Sequence, residues 1–334
     1  MQRADAVFEG GGVKGIGLVG ALQAFEEAGF QWHNVAGTSA GAITAALVAV
    51  GYAAAEIKHI MDNRVDFRRF MDPAGIARLP KVGPWLSMLF THGMYQGDYF
   101  LTLMRQLLSN QVGKERVTFR DLTMPKLPTD SQEEYESKYK YKLRVVASNI
   151  TRNELLILPQ GVGALGLDPD DLEVALAVRA SMSIPFFFKP VKLSEATDYR
   201  QKHWIVDGGM LSNFPIWLFD SPVGTIPPWP TIGFLLWEPD QDKPRYERIR
   251  GLISMIRAMV NTMTTTHDRK VLLEADQRRI VKIPTGIYMT TDFNLTAEDR
   301  QWLYQSGYRA ARSFLEGWSF QQYVEQRVNL LASG

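Results

Sequence analysis

The chain has 334 residues, with 37 lysines and arginines against 36 aspartates and glutamates, a net charge of +1 that excludes an overall basic footprint for nucleic acid and an acidic solvating tail. A composition that is 46% apolar and 22% charged excludes disorder as the main state. There is no cysteine, so disulfides, thiolate nucleophiles, zinc fingers and iron–sulfur clusters drop out together, and the five histidines form neither His-x-x-His nor His-Glu-x-x-His, which argues against a histidine-rich metal site.

In chain order, Met1-Gln2-Arg3-Ala4-Asp5 runs into an apolar stretch without the basic region and cleavage site of a signal peptide. Ala6-Val7-Phe8 predicts a short strand, followed by glycines and a helix over about 14–28 whose Leu18, Leu22 and Phe25 form one stripe and which stops at Gly29. Val35-Ala36 predicts the next strand, and 40–50 a helix ending at Gly51. The small-apolar run 40–55 is interrupted by Gly41, Thr44 and Gly51 and falls short of the ~20 residues of a membrane span, so the expected location is cytoplasmic, with peripheral membrane contact left open. Residues 123–142, with Pro125, Pro128 and the run Glu133-Glu134-Tyr135-Glu136-Ser137-Lys138-Tyr139-Lys140, predict a solvated loop or insertion. A strand is expected over 143–147, and Asp168-Pro169 reads as the cap and first residue of a helix to about Ala180. Strands follow at 204–206 and 232–237, on either side of a proline-punctuated connection at 221–230. Residues 244–263 predict a helix, whose Met255, Met259 and Met263 read as core. Thr296 with Asp299 forms a capping box for a last helix to Leu315. Strands alternating with helices predict an α/β chain with a largely parallel sheet covered on both faces.

Two glycine motifs sit at the ends of strands. Gly10-Gly11-Gly12-Val13-Lys14-Gly15 matches G-x-G-x-x-G and could be a turn that needs glycine. A dinucleotide site would need an acidic residue ~20 residues on, at the end of the second strand, and that strand ends Gly37-Thr38-Ser39. A P-loop would need Lys-Ser or Lys-Thr after Gly15, and Ile16-Gly17 follow. Gly37-Thr38-Ser39-Ala40-Gly41 matches G-x-S-x-G between a strand and a small-apolar helix, the setting of a nucleophile elbow. The glycines relieve crowding around Ser39, and the helix that follows points its amide-rich end at the serine. The competing reading is a helix N-cap serine.

A nucleophilic serine needs a base. Among His33, His59, His92, His203 and His267, only His267 follows a plausible acid, and it belongs to a helix end rather than a loop after a strand. Asp207, followed by Gly208-Gly209 at the end of a predicted strand, is the better candidate, although Asp-Gly is also a turn signal.

These three elements, in this order, resemble the patatin-like phospholipase family. Arg179-Ala180-Ser181-Met182-Ser183-Ile184-Pro185 and Asn213-Phe214-Pro215 resemble it too. The resemblance implies a three-layer α/β/α fold with a central, mostly parallel sheet and helices on both faces. It covers a motif-bearing core at about 5–220, with 221–334 packing on the same sheet as part of a single domain. It implies a Ser–Asp dyad without histidine that hydrolyses fatty-acyl esters of lipids. On this chain Ser39 is the implied nucleophile and Asp207 the base, with an oxyanion hole from the amides of Gly10, Gly11, Gly12 and Ala40. Lys14, Gly15, Gly37, Gly41, Gly208 and Gly209 are implied as supporting motif positions. The expected substrate is a phospholipid or lysophospholipid, and no cofactor or metal is called for.

Two apolar stretches, Pro84-Trp85-Leu86-Ser87-Met88-Leu89-Phe90 and Ile184-Pro185 followed by Phe186, Phe187 and Phe188, read either as core or as the wall of an acyl channel. The phenylalanine run is the stronger channel candidate because it closely precedes the strand carrying Asp207. Trp85, Phe90 and the same run are candidates for membrane contact. Lys14 reads as an exposed helix residue or as a charge that meets a head group. An acyltransferase using Ser39 with His267, and a catalytically silent lipid-binding or signalling module, remain as alternatives.

Overall fold

The computed structural model describes residues 2–70, 72, 92–128, 130–221, 225–238, 274–290 and 292–325, with isolated positions between 249 and 262. Eight strands form one mixed sheet in the order β10-β9-β1-β2-β4-β8-β7, with β5 also paired to β4. In sequence these are β1 (Gln2–Phe8), β2 (Phe30–Thr38), β4 (Leu143–Asn149), β5 (Glu154–Leu158), β7 (Val191–Ser194), β8 (Lys202–Asp207), β9 (Thr231–Trp237) and β10 (Ile280–Pro284). A separate pair joins β3 (Gly93–Tyr95) to β6 (Phe186–Phe188). The run from β10 to β4 is parallel, whereas β5, β8 and β7 are antiparallel additions. The expectation of a largely parallel sheet therefore holds, the parallel run reaching from the edge strand β10 to β4. From Ala4 onward β1, and the whole of β4, are buried on both faces, as strands covered on both sides are.

Among the described residues the helices of eight residues or more are α1 (Ile16–Glu27), α2 (Ala40–Ala49), α3 (Ala54–Asn63), α4 (Asp98–Val112), α5 (Val174–Ser181) and α6 (Ala297–Gly317). Ala4, Ala6 and Phe8 of β1 point into the large core that the helices build on one face. Val7, with Ala36 and Val146, points to the other face, covered by Phe214 and the short 3-10 turn Ile216–Phe219. α1 and α6 cross backbone to backbone. A Cβ on Gly20 would lie 1.9 Å from the Tyr304 carbonyl oxygen, and one on Gly307 would lie 1.8 Å from that of Gly17. No other residue type permits that approach.

Three expectations change. The helix expected from Asp168 is broken: Asp168 caps only the turn Pro169–Asp171, and α5 starts afresh at Val174. The chain is held extended between them because Phe119 N–H donates to Leu172 O and Val174 N–H to Val117 O. The stretch 123–142 is not all loop, since Ser131 and Glu134 form a capping box and Tyr139 is buried. Met255 and Met259 are exposed rather than core. Met263, His267, Trp85 and Phe90 lie outside the described residues. Among the described residues no helix is long and apolar enough to cross a membrane.

Candidate active site

β4 brings the two halves of the site together. Its residues 145–149 pair with β5 on one edge, so β2, paired to 143–146, and β8, paired to 147–149, share the other edge. β2 runs parallel to β4 and ends with Thr38 opposite Val146. β8 runs antiparallel and ends with Asp207 opposite Ala147. The two strands meet nose to nose at adjacent residues of β4, and the next residue of β2 is Ser39. A Cβ on Gly208 would lie 2.4 Å from Val146 O and 2.9 Å from Thr38 Cγ2, so only glycine can follow Asp207 in this gap.

Ser39 adopts φ 52°, ψ −120°, a sparsely populated conformation of the kind that costs ~1–3 kcal/mol and persists where its surroundings enforce it. The enforcing contacts are close. A Cβ on Gly41 would lie 2.1 Å from Phe8 O, and one on Gly37 would lie 2.3 Å from the Gly41 carbonyl carbon. The Ser39 N–H donates to Ser181 Oγ at 2.9 Å, and the Ser181 hydroxyl donates to Val146 O at 2.6 Å. The Asp207 N–H donates to Ser183 O at 3.0 Å. One turn at the end of α5 thus fixes the backbones of both Ser39 and Asp207. That turn is itself held by Arg179, whose buried guanidinium donates to Gly97 O, Lys189 O and Ser183 Oγ.

Asp207 is buried, and burial pushes its carboxyl from the ordinary 3.8 up to about 6, against the pull of the Gly209 amide and the Ser39 hydroxyl. Its Oδ1 accepts from Gly209 N–H at 2.8 Å. Although the Ser39 hydroxyl acts on this carboxylate, Oδ2 has no donor in strict hydrogen-bond geometry. The two observations fit a contact that is near but not yet aligned, as is common in unliganded sites. The carboxylate therefore keeps a lone pair for a proton from Ser39.

The glycine loop lies beside Ser39. Asn213 pins it: its Nδ2 donates to Gly10 O at 3.0 Å and to Glu9 Oε1 at 3.3 Å, and its carbonyl accepts from Gly10 N–H at 3.1 Å. The Gly10 amide is thereby occupied. The amides of Gly11, Gly12 and Ala40 have no protein partner among the described residues. Gly12 sits at φ 55°, and a Cβ there would lie 2.0 Å from Thr290 O. Gly15 packs against Ala40, where a Cβ would approach to 2.9 Å.

Ser39 opens into an apolar cavity of about 60 Å³ lined by Gly12, Gly15, Ala40, Ile43, Met61, Phe70, Met182, Ile184, Phe188 and Phe293. The phenylalanine run divides: Phe188 lines the cavity, Phe187 is buried elsewhere, and Phe186 is exposed with φ 69°. Lys14 matches neither reading given to it. It is buried, and its Nζ pairs with Glu238 Oε1 at 3.0 Å. Ser181 and Asn213 acquire positioning roles that no spacing rule connects to Ser39. Among the described residues no three His, Asp or Glu side chains are grouped to hold a metal ion.

Comparison with known proteins shows the family and the fold. The model of the patatin-like phospholipase family matches residues 6–220. The uncharacterized protein YqhO of Bacillus subtilis (strain 168) is 37% identical over 316 residues, covering 95% of this chain and 99% of YqhO. The uncharacterized protein R571 of Acanthamoeba polyphaga mimivirus is 22% identical over 320 residues, covering 93% of each chain. Among solved structures, VipD from Legionella pneumophila aligns with a TM-score of 0.53 at 19% identity, over 95% of this chain and 67% of VipD. A chain of the complex between full-length ExoU and full-length SpcU from Pseudomonas aeruginosa also gives 0.53, at 17% identity, over 96% of this chain and 53% of that one. At those identities the structural likeness is one of fold. The family match and the identity to YqhO reach further: the chain belongs to the patatin-like phospholipase family, a family of lipid hydrolases.

Proposed function

We propose that the chain hydrolyses fatty-acyl esters of phospholipids or lysophospholipids through a Ser39–Asp207 dyad and an acyl-enzyme. The observation that carries this reading is the junction on β4, which sets a strained serine against a buried carboxylate whose pKa is raised to about 6. Asp207 takes the Ser39 hydroxyl proton as Oγ attacks the ester carbonyl. The oxyanion is received by the amides of Gly11, Gly12 and Ala40, each such donor being worth ~3–4 kcal/mol. The tetrahedral intermediate collapses, the alcohol leaves with the proton from Asp207, and water, deprotonated by Asp207, releases the fatty acid. The apolar cavity beside Ser39 suits the first methylenes of an acyl chain. We further read residues 1–334 as one domain, since β9 and β10 belong to the same sheet as β1.

Two measurements test the reading. A fluorophosphonate probe should label Ser39 and no other serine, as seen by peptide mapping. Purified protein should release fatty acid from a panel of phospholipid, lysophospholipid and triacylglycerol, and Ser39→Ala should not. Labelling of another serine, or equal release by Ser39→Ala, would remove the assignment.

A further inference from the structure

We propose that the Ser39 cavity is followed, beyond Phe293, by a phosphate subsite formed by Arg68 and Arg300, and that the phosphodiester of the substrate sits between these guanidinium groups. This inference rests on the hydrolase reading and deepens it by naming the two residues that receive the phosphate of the proposed substrate.

The geometric link is Phe293. It lines the apolar cavity that holds Ser39, and it also lines a second pocket of about 270 Å³ formed with Val65, Asp66, Arg68, Leu295 and Arg300. An ester held at Ser39 must send its acyl chain and its alcohol portion into different spaces. The first space is apolar and fits methylenes. The second presents two cations and lies just past the shared ring. In a phospholipid only the glycerol carbons and one oxygen separate the ester from the phosphorus, so the phosphate must lodge close to the reacting carbonyl.

Among the described residues, three other cations near the site are already engaged. Lys14 is buried against Glu238, and Arg179 is spent on backbone carbonyls. Arg69 lies over the Tyr99 ring, 4.3 Å from its centroid. Among the described residues the guanidinium groups of Arg68 and Arg300 have no carboxylate partner, and Arg300 Nε is buried without an acceptor. A buried guanidinium N–H without an acceptor is unusual, and a phosphate oxygen is the acceptor that matches its planar fork. Asp66 shares the pocket, and its Oδ1 accepts from the Arg68 main-chain amide at 3.0 Å. Two guanidinium groups and one carboxylate leave a single positive charge, which matches a phosphodiester better than a doubly charged phosphate monoester.

The test compares lysophosphatidylcholine below its micelle concentration with the monoacylglycerol of the same chain, on wild type, Arg68→Gln/Arg300→Gln and Arg68→Lys/Arg300→Lys. We expect wild type to favour the phosphate-bearing substrate in kcat/KM by about tenfold or more, in line with one or two charge-assisted hydrogen bonds. The ratio should fall toward one in the glutamine pair and recover in part in the lysine pair. A parallel binding titration of lysophosphatidylcholine uses Ser39→Ala protein with and without the two glutamine changes, so the subsite is read even where no ester turns over. Failure to hydrolyse either substrate, with binding that still depends on the two arginines, would sink the hydrolase reading and keep the subsite. A ratio or a binding constant indifferent to both arginines in folded protein would overturn the subsite. Inorganic phosphate binding as tightly as the lysolipid would assign the pocket to free phosphate and overturn the substrate inference.

Discussion

Asp207→Asn should inactivate the protein and at the same time stabilise it above neutral pH. The folded carboxyl titrates near 6 instead of 3.8 because burial penalises its charge. A raised carboxyl pKa favours the fold fully below 3.8, and that advantage is lost as pH rises to about 6. Above that, the charged Asp207 costs the native state about 3 kcal/mol, from the gap between the two values. Asparagine carries no charge and can keep the bond from Gly209 N–H to Oδ1, so the variant avoids that cost. Denaturant unfolding at pH 8 should therefore give a higher midpoint for Asp207→Asn than for wild type, with the difference vanishing near pH 4. Wild-type kcat/KM should lose about tenfold per pH unit below 6, because only the ionised carboxylate accepts the serine proton. A variant less stable than wild type at pH 8, or a wild-type rate flat down to pH 5, would refute the picture of a desolvated carboxylate acting as base.

Ser181→Ala strips the acceptor from Ser39 N–H and the donor from Val146 O in a fully buried place, a loss of ~1–3 kcal/mol per orphaned group. It should lower kcat at least tenfold with little change in KM, and the pH-rate inflection near 6 should persist. Gly41→Ala forces a methyl to 2.1 Å from Phe8 O, so α2 and β1 must separate; the expected outcome is an unfolding free energy lower by ~1–3 kcal/mol or more, read as a reduced midpoint in a urea titration. His267→Ala should retain most of the ester hydrolysis that Asp207→Asn abolishes; the reverse pattern in a soluble-ester assay would favour a histidine-dependent triad.

The parts of the site that can be read in the chain are those built from local turn chemistry. Gly37 and Gly41 are glycines because the elbow brings backbones within reach of any Cβ, and Gly208 is one for the same reason at the strand junction. α4 was also legible, since Phe100, Met104, Leu107 and Leu108 form a helical stripe closed by Gly113 in a left-handed conformation, although the sequence reading leaves the segment unassigned. What stays hidden depends on contacts far apart in sequence. No periodicity connects Ser181 to Ser39, and nothing near Lys14 announces Glu238 as its partner. The phenylalanine run looked uniform because composition cannot tell the sides of a strand apart. Phe186, at φ 69°, turns out to solvent, Phe187 joins the core, and only Phe188 reaches the cavity. The extended break at Leu172 is likewise set by the strand-like pairing of 117–118, not by residues near Asp168.

The meeting of β2 and β8 on one edge of β4 makes that strand a ruler. The spacing between Ser39 and Asp207 is metered by the single step from Val146 to Ala147, not by the long stretch of chain that separates the two residues in sequence. Apart from β4 and the turn that carries Ser181 and Ser183, the connections between those strands, such as the proline-bearing part of 123–138, can lengthen or shorten without moving serine against carboxylate. A one-residue slip of either strand, by contrast, would displace its partner by ~3.3 Å and turn its side chains to the opposite face. Natural or engineered insertions should therefore accumulate in the connections, while the few residues that pair with 143–149 admit none.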